Sequence, residues 1–332
     1  MEQTLRVQIK GIGHAVPSRV LTNRDLEQMV DTNEQWIVER TGILERRICE
    51  PGKATSDYCY EAAQKALEQA QIGAGELDLI IVATSSPDMM FPSTACLLQE
   101  RLEAWGAAAF DLEAGCTGFA YGLSVAEKFL LSADYNHILV VGSDMCSRFV
   151  DYTDRGTCIL FGDGAGAVVL GRGSGNNGLI KTLLGADGRG GKFLYMPAGG
   201  SAMPPSHETV DGHMHSIHMN GTEIFKFATA VIMDISEKLL ASAGLDFSDI
   251  DLFVPHQANL RIIKTAIKRA NIPLEKTVIN IQKYGNMSAA SIPVALAEAE
   301  MEGRLKAGDL VLLVAFGAGL TYAGALLRWG RE

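Results

Sequence analysis

Short apolar runs alternate along the chain with longer stretches whose apolar positions keep the helical period. Residues 5–12 predict a strand. Thr55–Ala70 predicts a helix, because Ala62, Ala63, Ala66, Leu67 and Ala70 fall on one face. Residues 77–82 predict a buried strand, followed by a loop with Phe91-Pro92 and a helix around 97–102. Residues 107–110 predict a further strand and 137–141 another. Between those two, the chain from Gly118 carries no charge until Glu127, and a helix apolar on nearly every side is a buried one. Nearer the N-terminus, Thr22-Asn23-Arg24-Asp25 reads as the cap of a helix over residues 26–30.

The pattern then repeats. Residues 70–81, a helix end, a Gly-containing turn and Leu-Asp-Leu-Ile-Ile, resemble residues 243–254 with Ile-Asp-Leu-Phe-Val. Asp78 and Asp251 stand 173 positions apart (251 minus 78), and Ile138-Leu-Val-Val141 resembles Val311-Leu-Leu-Val314 at the same offset. Each copy closes on a Gly- and Ala-rich stretch, 162–170 and 317–327, read as a hairpin, bulged in the first copy. The fold class is therefore α/β, built from two copies of one strand–helix unit, residues 1–174 and 175–332. Residues 310–327 carry no charge and approach the ~18 residues of a membrane span. Gly317, Gly319 and Gly324 interrupt them, so two buried strands joined by a Gly turn are expected instead. Two glycine motifs lead nowhere. Gly11-Ile-Gly13 lacks the third Gly of a dinucleotide loop, and no Lys-Ser/Thr follows Gly162, Gly164 and Gly166.

Candidate chemistry gathers where strands end. Cys116 sits between the strand at 107–110 and the buried helix, where unpaired N–H groups and the helix dipole favour a thiolate. The alternative is a small apolar Cys packed in a core. One repeat further on, at an offset of 170, Asn286 occupies a second strand-to-helix turn, after a strand over 278–281. His256 follows the strand at 252–254. Open α/β sheets place their sites at such C-terminal strand ends. If the copies face each other, thiol, imidazole and carboxamide converge; the alternative is three unrelated turn residues. Trp36 and Arg40, at i and i+4, read as a packing pair on a helix. Residues 198–220 carry His207, His213, His215 and His218 without standard ligand spacing, so an exposed active-site loop is favoured over a metal cluster.

Composition narrows the classes. A net charge of −10 without a basic run argues against nucleic acid, and an acidic partner would need a local basic patch. Six Cys without C-x-x-C, and an N-terminus without an apolar leader, point to free thiols in a reducing, cytoplasmic compartment and to no membrane or metal role.

With Cys116, Val254-Pro-His256-Gln-Ala-Asn259-Leu-Arg261 and Tyr284-Gly-Asn286 in hand, the chain resembles the β-ketoacyl-acyl-carrier-protein synthase III family. Trp36-Ile-Val-Glu-Arg40-Thr41-Gly42, Arg155-Gly-Thr157, Phe161-Gly-Asp-Gly-Ala-Gly166 and Phe316-Gly-Ala-Gly-Leu-Thr-Tyr322 extend the resemblance over nearly the whole length. It implies the thiolase-like fold, two pseudo-duplicated halves in a five-layer αβαβα sandwich, usually a homodimer. It implies that Cys116 takes an acyl group, acetyl foremost, from coenzyme A and passes it to malonyl-acyl carrier protein after decarboxylation, initiating fatty acid synthesis without a cofactor. His256 and Asn286 would be donors to the malonyl thioester oxygen, and the Cys116 and Ala318 N–H groups an oxyanion hole. Thr32, Trp36, Arg40, Arg155 and Asn259 would contact coenzyme A, with adenine between Trp36 and Arg155. Phe91 and Phe225 would line the acyl pocket, Phe91 that of a neighbouring subunit. Gln257, Ala258, Asn259, Leu260, Arg261, Lys264 and Lys268 would dock the acidic carrier protein, the basic three at i, i+3 and i+7 of one helix. Glu113 departs from the family pattern and would oppose a thiolate unless it points away. A secondary-metabolism acyltransferase on the same fold is the rival reading. A thiolase would want a second Cys in 317–324, which has none.

Overall fold

The computed structural model describes residues 6–132 and 134–331. Leu5, the expected start of the first strand, lies outside them, as do residues 1–4. The first sheet holds β1 (Arg6–Ala15), β2 (Leu79–Ala83), β3 (Ala108–Leu112), β4 (His137–Met145) and β5 (Asp163–Gly173), in spatial order β1-β5-β4-β2-β3. The second holds β6 (Gly178–Ala186), β7 (Leu252–Pro255), β8 (Leu310–Gly317) and β9 (Thr321–Arg328), in order β7-β8-β9-β6. The chain crosses between sheets over residues 174–177. The helices used below are α1 (Glu34–Thr41), α2 (Thr55–Ala70), α3 (Thr94–Arg101), α4 (Gly118–Leu131), α5 (Gly221–Ser242), α6 (Leu260–Ala270) and α7 (Ser291–Met301).

Strand alternation builds the layers. Ile81, Val140 and Val168 on one sheet and Val254, Leu313 and Ala325 on the other face inward onto α4 and α7. Ile80, Leu139 and Val169 face outward under α2. Phe253, Leu312 and Leu326 face outward under α5 and α6. The result is five layers, α–β–α–β–α. The helix from Gly118, free of charge until Glu127, is buried because both sheets press on it.

The repeat holds in register. Leu79 pairs with Ile138 and Leu252 with Val311, and each partner lies 173 positions from its counterpart. The Asp78 carboxylate accepts from the His137 N–H at 3.0 Å, and Asp251 accepts from the Leu310 N–H at 2.9 Å. Each acid thus ties the start of the neighbouring parallel strand. The same offset relates the 3-10 turns Gly115–Thr117 and Ser288–Ala290, and the starts of α4 and α7. The structural counterpart of Cys116 is therefore Ala289, which corrects the expected pairing of Cys116 with Asn286.

Three element readings change. The strand expected at 278–281 is reduced to a single bridge from Thr277 to Phe253. There the Asn280 N–H goes to the buried Gln257 side chain at 3.1 Å, and Ile281–Tyr284 turns helical. The helix expected at 26–30 spans Asn23–Glu27; Thr22 and Asp25 cap it reciprocally. Residues 162–170 are no bulged hairpin, since β4 and β5 pair antiparallel but are joined through residues 146–162. Residues 317–327 do form a hairpin, with Gly317 opposite Thr321. Among the described residues no helix is long and apolar enough to cross a membrane.

Gly162, just before β5, and Gly164 and Gly166 within it serve close approach of the two halves. A Cβ on Gly162 would meet the Tyr284 carbonyl oxygen at 2.1 Å. The Gly162 N–H donates to the Asn286 carbonyl at 3.0 Å, and the Asn286 N–H to the Leu160 carbonyl at 2.8 Å. Gly162→Ala is expected to lower the unfolding temperature, costing about 1–3 kcal/mol as an overpacked core position does, and to displace Asn286. A melting curve unchanged from the parent would contradict this.

Candidate active site

The site forms where the two halves meet, at two C-terminal strand ends and one helical turn. Cys116 lies in the turn after β3, His256 directly after β7, and Asn286 after the Ile281–Tyr284 turn. All three line one cavity of about 90 Å³, with Phe225, Ala258, Asn259, Phe316 and Gly317. Gly317, at the tip of the β8–β9 hairpin, makes the fit possible, because a Cβ there would lie 2.6 Å from the Cys116 nitrogen. A Cβ on Gly115 would lie 3.0 Å from the Ala318 nitrogen. The backbone N–H groups of Cys116 and Ala318 therefore belong to two touching turns.

His256 is buried, and neither ring nitrogen has a hydrogen-bond partner among the described residues. Its ring meets Phe316 edge-on at 5.4 Å. Burial in this apolar setting lowers its pKa to about 3, so the imidazole is neutral at physiological pH. The Asn286 Oδ1 accepts the Ser288 N–H at 2.9 Å, which leaves the amide NH2 as its other end. The pair presents neutral polar groups to the cavity.

Cys116 is half-buried, and the Ser288 hydroxyl lies 3.4 Å from its sulfur. The expected low-pKa thiolate is not supported in the resting site. Burial pushes the thiol up to about 12, and the negative charges of Asp144 and Glu113 act in the same direction. The helix-end argument loses to desolvation, since Cys116 sits inside the 3-10 turn that precedes α4. Glu113 is itself held by the Gly115 N–H at 3.0 Å and the Ser85 hydroxyl at 3.2 Å.

On the other side of the sulfur a second chamber of about 280 Å³ opens, floored by Cys116 and walled by Cys146, Phe149, Phe161, Leu194 and Ile217 among others. This apolar room shares Cys116, Phe161 and Leu194 with the His256 cavity. Phe225 lines the His256 cavity. Phe91 is 83% exposed and lines neither chamber of its own chain. Sequence reasoning missed Phe149, Ile217 and Ser288. Ser288 alone carried a signal, standing in the repeat where the first copy has Gly115.

The coenzyme A candidates lie along one edge. Asn33 caps α1 by accepting the Trp36 N–H at 2.9 Å. The Arg40 guanidinium stands 4.7 Å and that of Arg155 5.3 Å from the Trp36 ring centroid. The i,i+4 pair and the Trp36–Arg155 stack therefore coexist. An inserted base needs roughly 7 Å, twice the ~3.4 Å spacing of stacked bases, so Arg155 must swing aside to admit one. On the exposed side Arg155 is held by the Asp31 carbonyl at 3.1 Å and by its carboxylate at 3.7 Å, so admitting a base breaks these contacts. Asn259 links this edge to the cavity by donating to the Arg40 carbonyl at 3.0 Å. The Thr32 hydroxyl is buried without a partner among the described residues.

Helix α6 runs from the cavity mouth with Arg261, Lys264 and Lys268 exposed and Ile263, Ile267 and Ala270 buried. Ala258 and Leu260 are half-buried against the core. Gln257 is corrected: fully buried, it donates to the Pro255 and Val278 carbonyls and accepts from Asn280, so no face remains for a partner. The four imidazoles of the 198–220 stretch separate. His213 pairs with Asp151 at 2.9 Å, His215 bonds Thr209 at 2.9 Å, His218 stacks on Tyr195, and His207 begins a short helix. Met196 and Ile217 at the two ends of this stretch wall the larger chamber.

Comparison with known proteins agrees with this geometry. Residues 110–188 match the family described as 3-oxoacyl-[acyl-carrier-protein] synthase III, and residues 240–329 match its C-terminal part. The β-ketoacyl-[acyl-carrier-protein] synthase III of Syntrophomonas wolfei is 65% identical over 99% of both chains. That of Desulfitobacterium hafniense is 53% identical over 98% of both. The solved 3-oxoacyl-[acyl-carrier-protein] synthase III of Aquifex aeolicus superposes with a TM-score of 0.91 at 44% identity, covering 97% of this chain and 100% of that one. The priming β-ketosynthase of the R1128 polyketide pathway gives 0.91 at 34% identity, covering 98% and 96%. With its duplicated thiolase-like fold and a Cys, a His and an Asn around one cavity, this chain belongs to the 3-oxoacyl-[acyl-carrier-protein] synthase III family of condensing enzymes.

Proposed function

We propose that the protein joins an acyl group from coenzyme A to malonyl-acyl carrier protein, with loss of CO2, as the first condensation of fatty acid synthesis. The observation that carries this is the placement of Cys116 between two chambers, one apolar and one holding His256 and Asn286. Cys116 is the covalent nucleophile, and the acyl chain lies in the apolar chamber. Malonyl thioester enters the other side, where His256 and Asn286 donate hydrogen bonds as enolate charge develops. Neutral donors suit this step, because departing CO2 supplies the electrons and no strong base is needed. The N–H groups of Cys116 and Ala318 hold the oxyanion of each acyl transfer. Trp36, Arg40, Arg155, Asn259 and Thr32 bind coenzyme A, which is a substrate; no cofactor is required.

The protein works as a homodimer in the cytoplasm. Exposed Met90 and Phe91, 79% and 83% exposed, supply the apolar surface that a second copy covers. Acetyl is the starter taken first, and longer acyl groups are the alternative that the apolar chamber makes worth assaying. The test is a panel of acetyl-, isobutyryl- and longer-chain coenzyme A esters with malonyl-acyl carrier protein, following CO2 and 3-oxoacyl product. Release of CO2 without a carrier-bound product would favour a different acyltransferase chemistry.

The exposed cations of α6 dock the acidic carrier. Lys264→Glu combined with Lys268→Glu is expected to raise KM for malonyl-acyl carrier protein about tenfold, the effect of ~1.4 kcal/mol of lost complementarity. KM for the coenzyme A ester should stay unchanged. An unaltered carrier KM removes this helix from the interface.

A further inference from the structure

The second copy lacks the strand that leads to Cys116 in the first. At the repeat offset of 173, β3 (Ala108–Leu112) corresponds to residues 281–285, and there the chain makes the single helical turn Ile281–Tyr284 instead. β3 is fixed along its length by a parallel ladder to β2, from Leu79 opposite Ala108 to Ala83 opposite Leu112. A helical turn offers no such ladder. It is flanked by two isolated bridges, Thr277 to Phe253 and Asn286 to Phe161. Yet this turn delivers Asn286 to the cavity.

Glu298 takes the place of the ladder. The Asn280 amide NH2 donates to Glu298 Oε2 at 2.8 Å, and the Tyr284 hydroxyl donates to Oε1 at 2.5 Å. One carboxylate thus grips both ends of the turn. Asn280 and Tyr284 are buried, and the Glu298 side chain is 14% exposed. Hydrogen bonds to an ionised acceptor are shorter and stronger than neutral ones. The Lys283 ammonium, 3.8 Å away and half exposed, adds little to them.

Glu298 stands on α7, where Ala295, Leu296, Ala297 and Ala299 are buried between the sheets. The chain leaving Asn286 runs through the 3-10 turn Ser288–Ala290 into that same helix. Residues 285–290 therefore hang between two points of one rigid element: their covalent entry into α7, and Tyr284 held by Glu298. Gly285, at φ +65°, is the swivel next to Asn286, so its anchored neighbour decides where the carboxamide goes. At the other end of the turn the Asn280 N–H is bound at 3.1 Å to Gln257, the residue after His256. The clamp thereby fixes Asn286 with respect to His256. In the first copy the position of Glu298 is held by Val125 (298 minus 173), packed against the core. The acid is present in the copy that has no ladder.

We propose that Glu298 is a positioning residue for the condensing step, gripping Asn280 and Tyr284 so that Asn286 and His256 reach one substrate oxygen together. This rests on the condensing reaction above. Glu298 lines neither chamber, so it acts through Asn286.

Two half-reactions of the intact protein test this: acylation of Cys116 by acetyl-coenzyme A, followed by mass, and release of CO2 from malonyl-acyl carrier protein. Glu298→Ala should slow CO2 release about 10- to 10²-fold, the scale of displacing a reacting group by up to about 1 Å. The loss should fall on kcat, with KM for the carrier substrate unchanged and acylation near the parent rate. Glu298→Gln should recover most of the loss, since its carbonyl accepts from Asn280 and its NH2 donates to the Tyr284 oxygen. Tyr284→Phe, which cuts one bond of the two, should fall between the parent and Glu298→Ala. Glu298→Ala combined with Asn286→Ala should be no slower than Asn286→Ala alone, because one acts through the other. Equal slowing of both half-reactions, an effect that multiplies with that of Asn286→Ala, or CO2 release at the parent rate overturns the proposal. Where Glu298→Ala fails to fold, Tyr284→Phe, alone and combined with Asn286→Ala, decides in the same way. A parent that releases no CO2 overturns the condensing reaction itself.

Discussion

Cys116→Ala is expected to leave the protein without any acyl adduct after incubation with acetyl-coenzyme A, and to lower condensation by at least about 10³-fold, as loss of a covalent nucleophile does. The parent should gain the mass of one acetyl group on the peptide that carries Cys116. Five other thiols make the site of the adduct informative. Cys49, Cys59, Cys146 and Cys158 are buried and Cys96 is exposed. Exposure alone would direct chemistry to Cys96, so an adduct on Cys116 reports an acyl group delivered by a binding site. The raised thiol pKa sharpens this further. Because burial holds Cys116 protonated at neutral pH, a small alkylating agent should modify it slowly, while acyl-coenzyme A acylates it fast. A chain that acylates equally well as Cys116→Ala would place the chemistry elsewhere.

That raised pKa also marks where sequence reading stopped. The duplication was legible, because Asp78 and Asp251 carry the same hydrogen bonds to the next parallel strand and their spacing survives in one dimension. Cys116 and His256 were legible as two strand ends, whereas Asn286 reaches the same cavity from a helical turn. Thr55–Ala70 was legible to the residue, since nothing outside the helix alters its period. The second-copy strand at 278–281 was not, because a buried side chain, Gln257, takes the backbone donor that a ladder would have used. Gln257 read as a partner contact for the same reason: its polarity is visible in the sequence, its internal bonds are not. The thiolate failed because a turn's position relative to a helix is local, whereas desolvation depends on Ala318, Ser288 and Phe161 arriving from distant parts of the chain.

His256→Ala and Asn286→Ala are expected to separate the two half-reactions. On the proposed reading each removes one donor to the malonyl thioester oxygen, a loss worth about 10²–10³ in rate, or ~2.7–4 kcal/mol. Acylation of Cys116 should stay close to the parent rate in both, since neither side chain touches the sulfur through a hydrogen bond. The double variant should fall by less than the product of the single effects, because both donors serve one oxygen. The pH dependence gives the sign of the His256 role. With its pKa near 3 the folded imidazole stays neutral from pH 7 down to about 4, so decarboxylation should show no inflection near the ordinary value of 6.5. The unfolded chain does take up that proton below 6.5. Between 6.5 and 3 the unfolded state therefore binds more protons than the folded one, and His256 makes stability fall as pH falls, by up to about 1.4 kcal/mol per pH unit. His256→Ala should flatten that part of the stability curve. Denaturant midpoints measured from pH 7 to pH 4 on the parent and the variant check this, and a parent rate profile breaking at 6.5 would mean that the imidazole works as a cation or a base rather than as a neutral donor.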